Sequence, residues 1–173
     1  MITKKINGKE PVYGENCFFT ETSVVVGDVI MGNYCTVWYH AVIRGDVNSI
    51  VIGDYTNIQD GAVIHCTYKK AATKIGSKVS IGHNAIVHGC TIEDEVLIGM
   101  GSIVMDGAVI GKGSVIAAGS VVLANTIVEQ NSVYAGIPAK RVKDTTNLHK
   151  EIIEKTAKNY PMYADWFKEE SFE

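Results

Sequence analysis

The sequence has little proline and lacks the segments that mark several classes of protein. Only 3 of its 173 residues are proline. No apolar run reaches the roughly 18 residues of a membrane span, and the N-terminus has no apolar stretch typical of signal peptides. The net charge is −3, and no basic cluster marks a nucleic-acid site. We therefore expect neither a membrane nor a nucleic acid as a partner.

Paired cysteine motifs are also missing. None of the four cysteines belongs to a CxxC pair, the spacing typical of zinc ribbons and thiol redox enzymes. Isolated cysteines are typical of free thiols in a reducing compartment, so we predict a cytoplasmic protein. The four are Cys17, Cys35, Cys66 and Cys90.

Apolar residues are abundant, and they recur with a period of six. Hydrophobic residues make up 46% of the chain, enough for the core of one domain. We call the recurring large residue position 1. It is found at Met31, Val37, Ile43, Ile52, Ile58, Ile64, Ile75, Ile81, Val87, Ile92, Ile98, Val104, Ile110, Ile116, Val122, Val128 and Tyr134.

A period of six excludes a helix and equals three alternations of a strand. A short strand followed by a bend forms one side of a prism, with position 1 inside. Three sides complete a coil of about eighteen residues, and successive coils stack about 4.8 Å apart. The sequence therefore predicts an all-β fold, a single-stranded parallel β-helix of hexapeptide repeats over residues 1–143.

Three interruptions break the period. Residues 46–51 are inserted, residues 66–74 bulge outward, and the repeat at Val87 is one residue short. Loops on a solenoid commonly lie on its working face. These interruptions therefore direct attention to the coils that contain them.

The tail, residues 144–173, has a different pattern. Apolar residues at helical spacing predict an α-helix over 147–158 that packs on the β-helix, and more of the tail could be helical. We expect the aromatic residues that follow to pack rather than to form a ligand cage. They are Tyr160, Tyr163, Trp166 and Phe167.

Every third repeat belongs to the same side of the prism. This assignment places several polar residues directly above one another in successive coils. Arg44, His65 and His88 share position 2 of the first side in successive coils. Asp60 and His83 share position 3 of the third side. The backbones of His65 and His88 are then about 5 Å apart, and two stacked imidazoles can converge on one ion at about 2.1 Å per bond.

His83 lies on a different side from His65 and His88, so a single chain closes the site poorly. A neighbouring chain whose third side docks on the first side would bring its His83 to the pair, and its Asp60 to Arg44. A head-to-tail contact of this kind closes into a ring. We therefore predict a homotrimer with intersubunit metal sites formed by the three histidines.

Other residues near this row have plainer interpretations. We assign His40 and His149 to the ordinary solvated or hydrogen-bonded surface. Cys66 and Cys90 are close to the histidines in sequence, and as thiolates they could bind zinc. Neither cysteine belongs to the stacked row.

Five segments resemble the γ-class carbonic anhydrase family of hexapeptide-repeat proteins. The resemblance covers about residues 10–140 and implies a left-handed β-helix and a homotrimer with three intersubunit zinc sites. The segments are AVIRGD (41–46), NIQDGAVIH (57–65), IGHNAIVHGCTI (81–92), LIGMGSIVMDGAVIG (97–111) and YAGIPAK (134–140).

The resemblance also implies roles for individual residues. It makes His65 and His88 the metal ligands from one chain and His83 the ligand from its neighbour. Gln59 matches the glutamine that holds the metal-bound water, a catalytic role.

The charged residues match only part of the family's pattern. Arg44, Asp46 and Asp60 match its arginine–aspartate cluster between subunits, although a purely structural ion-pair role is equally open. Val47 stands where well-characterised members have a glutamate, and segment 66–74 has three lysines and no acid. This departure predicts slow export of protons and low turnover.

The predicted activity is that of a lyase, reversible hydration of carbon dioxide to bicarbonate by a metal-bound hydroxide. Three imidazoles and an open position suit zinc, with ferrous iron or cobalt as alternatives. A second hypothesis is a hexapeptide acyltransferase, which needs one histidine as general base and no metal. A third is a trimeric scaffold, catalytically weak, in which the metal only joins the subunits.

Overall fold

The computed structural model describes residues 1–169, which form a left-handed β-solenoid of about 7 turns followed by one helix. The helix is α1, Asn147–Glu169. The strands are β1 (Ile2–Lys4), β2 (Val12–Tyr13), β3 (Phe18–Phe19), β4 (Val24–Met31), β5 (Thr36–Val37), β6 (Val42–Ile52), β7 (Asn57–Ile58), β8 (Val63–His65), β9 (Thr73–Ile75), β10 (Ser80–Ile81), β11 (Ile86–His88), β12 (Thr91–Ile92), β13 (Leu97–Ile98), β14 (Ile103–Val104), β15 (Val109–Ile110), β16 (Val115–Ile116), β17 (Val121–Val122), β18 (Ile127–Val128), β19 (Ser132–Ala135) and β20 (Lys140–Asp144).

The three sides of the prism are parallel ladders in which position-1 residues pair in register. The predicted assignment of repeats to sides and the predicted fold class are therefore confirmed. One adjacent pair from each side in turn is Ile64 with Val87, Ile75 with Ile92, and Ile58 with Ile81.

The core is a single column inside the prism. Position-1 side chains such as Ile64 and Ile81 are fully buried. The small residues four places after a position-1 residue, such as Ala62 and Ala85, are also fully buried. A small side chain fits where the chain turns a corner, and the large aliphatic fills the space between coils. The six-residue pattern therefore builds the core directly.

Two of the predicted interruptions differ in detail. Residues 46–51 form no loop, because β6 runs unbroken from Val42 to Ile52 and pairs with β4 across a register shift. The bulge after His65 ends earlier than predicted, since Thr73 and Lys74 already belong to β9. The connection is therefore residues 66–72, closed by a bridge between Thr67 and Ala71.

The helix begins at the predicted residue, Asn147, but extends to Glu169, eleven residues past the predicted end. Pro161 does not end it. Residues 170–173 of the predicted tail lie outside the described residues. Within the part of the chain that the structure describes, no helix is both long and apolar enough to cross a membrane.

The helix packs on the outer face of the third side. Ile153 is buried against Val115 and Val133. The Trp38 ring lies 5.5 Å from the rings of both Tyr160 and Phe167. The expectation that these tail aromatics serve packing is confirmed for both.

Candidate metal centre

His65 and His88 are neighbours on the first side, at the ends of β8 and β11. Their backbones pair in register, and the Nδ1 of His65 lies 3.1 Å from the Nε2 of His88. Two nitrogens that bind one ion at about 2.1 Å each in a tetrahedral arrangement are separated by about 3.4 Å. The facing nitrogens lie close to the separation that a shared ion requires.

Each ring is held on its other side by a carboxylate. Asp46 lies 2.9 Å from the Nε2 of His65, and Asp106 lies 2.5 Å from the Nδ1 of His88. A neutral imidazole that donates to a carboxylate has an unprotonated nitrogen at its other position. Both lone pairs then point into the same space, where a cation removes their repulsion. The donor set therefore fits a bound metal ion.

The two carboxylates are ionised at neutral pH. Burial raises the pKa of Asp46, but hydrogen bonds from His65 and Arg44 outweigh it and the pKa falls below its usual value. Burial likewise raises the pKa of Asp106, and bonds from Thr67 and His88 lower it further than burial raises it. Carboxylates that orient histidine ligands are typical of metal sites.

His83 lies beyond the end of the third side and is also held by a carboxylate. Its Nδ1 is 2.9 Å from Asp60, which leaves the Nε2 facing outward. The predicted stacking of Asp60 and His83 is thereby confirmed. Among residues 1–169, no three His, Cys, Asp or Glu side chains converge on one point that could hold an ion.

Arg44 is paired within its own chain. Its Nη1 donates to Asp46 at 2.5 Å, so a chain of polar contacts runs from Arg44 through Asp46 to His65. The predicted contact between Arg44 and a neighbour's Asp60 concerns a second chain and stays a prediction.

Gln59 is buried at the edge of the third side. Its Nε2 donates to the Asn57 side chain at 2.9 Å, and Asn57 donates to the Ser80 hydroxyl at 2.8 Å. This series of hydrogen bonds uses the donor group of Gln59 and fixes its amide, with the carbonyl oxygen as the remaining acceptor.

The cysteines nearest the histidines are buried thiols. Burial raises the pKa of Cys66 and that of Cys90, the latter to about 12. Metal binding needs the thiolate, and the thiol of Cys66 donates to a backbone carbonyl, that of Asn48. The structure therefore gives no support to the alternative in which these cysteines bind zinc.

Sequence analysis did not single out Asp106 or assign Asp46 to His65. Only Asp106 follows from the register, since Asp46 belongs to the inserted residues 46–51. Asp106 stands at position 3 of the first side, one coil after Gly89, and could have been found by extending the count of polar exceptions past His88.

Comparison with known proteins finds relatives that match most of the chain. The family model for six bacterial transferase hexapeptide repeats matches residues 89–124. A probable carbonic anhydrase of Methanocaldococcus jannaschii is 53% identical over 146 residues, which are 84% of this chain and 91% of that protein. Gamma carbonic anhydrase 2, a mitochondrial protein of Arabidopsis thaliana, is 40% identical over 88% of this chain, which spans only 56% of the plant protein.

A solved structure is also similar to this chain. The crystal structure of a hexapeptide transferase family protein from Anaplasma phagocytophilum superposes with a TM-score of 0.90 at 38% identity. The match covers 94% of this chain and 96% of that chain. The likeness extends through the solenoid and the helix together.

Proposed function

Because this chain belongs to the γ-class carbonic anhydrase family of hexapeptide-repeat proteins, we propose that it catalyses the reversible hydration of carbon dioxide to bicarbonate at a metal centre. The observation that carries this proposal is the pair of facing nitrogens of His65 and His88, each ring backed by a carboxylate. Such a pair is two thirds of a three-histidine site. The third ligand is His83 of a neighbouring chain.

The proposed assembly is a homotrimer, and its first contact surface is the outer face of the first side. Four exposed apolar side chains surround the histidine pair there, and exposed apolar patches mark interaction surfaces. They are Val63, Ile86, Met105 and Leu123.

The second contact surface is only the edge of the third side, whereas the sequence predicted that the whole third side docks. Since α1 covers the outer face of the third side, we assign the contact to the edge beyond it, where Asp60 and His83 lie. Docking of this edge on a neighbour's first side completes the ligand set. It also brings Asp60 toward the neighbour's Arg44.

The ion we propose is zinc, although imidazole ligands also suit ferrous iron and cobalt. A divalent ion with three neutral ligands and one open position lowers the pKa of water toward about 7. Asp46, Asp60 and Asp106 orient their histidines, because each carboxylate accepts a hydrogen bond from one ring nitrogen and leaves the other for the ion. Gln59 enters from the same edge as His83, and its free carbonyl oxygen can accept a hydrogen bond from the reacting oxygen and orient it.

Proton export is the step this chain supports least. The connection 66–72 contains Lys69 and Lys70 but no carboxylate that could accept the proton. Asp106 is occupied by two hydrogen bonds. Export then depends on buffer that reaches the site, and we expect slow turnover.

The hexapeptide acyltransferase remains the alternative, since the solved relative from Anaplasma phagocytophilum is described as a transferase. Such an enzyme needs one basic histidine and no metal, whereas here two histidines face each other with nitrogens 3.1 Å apart. Four free thiols agree with a cytoplasmic location, which we also propose.

Carbon dioxide hydration, followed by stopped flow with zinc-loaded and metal-free protein, tests the proposal. Hydration by the loaded form alone supports it. Equal rates in both forms would contradict it, and retention of the zinc in that case would favour a scaffold.

A further inference from the structure

Asp106 joins a proposed metal ligand to a surface connection. It follows β14, one coil after His88, and its carboxylate reaches back toward the preceding coil. One oxygen accepts a hydrogen bond from the Nδ1 of His88 at 2.5 Å, and the other accepts one from the Thr67 hydroxyl. Thr67 lies at the start of the connection 66–72, so one carboxylate contacts both elements.

The space for this carboxylate depends on Gly89. A Cβ at Gly89 would lie 2.6 Å from the Asp106 carboxylate and 2.9 Å from the Cβ of Ala71. Gly89 also has a positive φ of 56°, which disfavours other residues. The missing side chain therefore lets the carboxylate fit between the ligand and the connection.

The far end of the connection is attached to the same pair of coils. The Thr73 hydroxyl donates to the backbone carbonyl of His65 at 2.5 Å and accepts from the backbone N–H of Gly89 at 3.0 Å. Hydrogen bonds thus hold the connection at both ends next to a proposed ligand. At one end the Asp106 carboxylate bonds Thr67 beside His88, and just past the other end the Thr73 hydroxyl bonds the backbone of His65.

We propose that Asp106 is a positioning residue, an inference that rests on the proposed metal site. Asp106 holds the His88 ring so that its Nε2 points toward His65. The same carboxylate couples this orientation to the order of connection 66–72. The carboxylate selects the tautomer protonated at Nδ1, because only that nitrogen can then donate to it. Loss of such a carboxylate typically weakens metal binding 10–100-fold. Metal affinity and order of the connection should therefore fall together.

The test uses full-length protein and three substitutions. Asp106→Ala removes both bonds, Asp106→Asn keeps an acceptor without the charge, and Thr67→Val removes only the bond to the connection. The matched control is Asp94→Ala. Asp94 also joins two successive coils, because its carboxylate accepts a hydrogen bond from the backbone N–H of Ser77. Melting temperatures establish that each variant is folded.

Three measurements follow. Zn²⁺ affinity is measured by competition with a chelator, and we expect a loss of about 10–100-fold for Asp106→Ala, a smaller loss for Asp106→Asn and none for Asp94→Ala. The ¹⁵N spectrum of the metal-free protein reports the His88 tautomer, which we expect to become mixed in Asp106→Ala. Limited trypsin digestion after Lys69 and Lys70 should accelerate in both Asp106→Ala and Thr67→Val.

The outcomes separate this inference from the function on which it rests. If wild-type protein binds no Zn²⁺, the proposed function fails and the role of Asp106 fails with it. If wild type binds Zn²⁺ and Asp106→Ala binds it equally well, only the role of Asp106 is overturned. Weaker binding without a change in tautomer or in trypsin cleavage would also overturn it, since the loss would then come neither from the orientation of His88 nor from the order of the connection.

Discussion

The Nδ1 of His65 lies 3.1 Å from the Nε2 of His88, although 23 positions of sequence separate the two residues. The stacking of coils produces this closeness, because His65 and His88 occupy the same register position in successive turns. The carboxylates of Asp46 and Asp106 then fix which nitrogens face each other. The fold thus positions the two proposed metal ligands within a single chain.

His88→Ala should abolish metal binding. The substitution removes one of the two facing nitrogens and leaves a lone histidine on this side of the solenoid. Elemental analysis of purified protein should find one zinc ion per wild-type chain and none in the variant. His40→Asn, a change at an exposed histidine with positive φ that asparagine tolerates, should retain the metal; its loss there would mean that binding does not depend on this site.

Complementation between chains tests the shared site. His83→Ala and His88→Ala should each be inactive alone, because each lacks a ligand. The two variants are unfolded and refolded together. A complete site then forms where a His83→Ala chain supplies His65 and His88 and a His88→Ala neighbour supplies His83. Random head-to-tail assembly gives this arrangement in about a quarter of contacts. Recovery of metal and activity near that fraction is expected. No recovery in mixed trimers would show that the three histidines do not meet between chains.

Arg44→Ala should weaken assembly more than it weakens metal chemistry. In the proposed trimer Arg44 meets a neighbour's Asp60, and removing one partner of a buried ion pair costs about 3–5 kcal/mol. Sedimentation over a concentration series should show wild type at three times 18.8 kDa and the variant dissociating at higher concentration. Arg141→Ala, which breaks a pair within one chain, is the control; identical dissociation of Arg44→Ala and wild type would contradict the contact.

Much of this arrangement is predictable from sequence, because a strict six-residue period determines register. The count in threes brings His65 to His88 and Asp60 to His83 without knowledge of any distance. It does not predict that β6 absorbs residues 46–51, since strand length depends on pairing with β4. The period places Asp60 next to His83, but it does not predict that Asp46 contacts His65 or which ring nitrogen faces each carboxylate, because both depend on side-chain direction.

The helix shows a second limit of sequence reasoning. Its first residue was predicted at 147, but the spacing of apolar residues weakens after Thr156. Contacts of Tyr160 and Phe167 with the solenoid stabilise the remaining turns. Tertiary packing therefore extends the helix past Pro161 to Glu169.

Substitutions at position 1 should destabilise the fold far more than outward ones. Ile98 is fully buried, whereas Ile127, just before position 1 of its own repeat, is 63% exposed. Ile98→Ala should lower the free energy of unfolding by about 2–5 kcal/mol, and Ile127→Ala by about 0.5 kcal/mol or less. Denaturant titration measures both; equal losses would contradict the assignment of the period.

The measurement that tests the account most directly is stopped-flow carbon dioxide hydration by zinc-loaded and iron-loaded wild type, with zinc-treated His88→Ala and metal-free wild type as controls. We predict hydration above both controls in at least one metal form, with a turnover number that rises with the concentration of an imidazole-type buffer. Under the same conditions kcat/KM should stay constant, because the hydration step precedes proton export. No hydration above the metal-free control in either form, at any buffer concentration, would contradict the proposed activity.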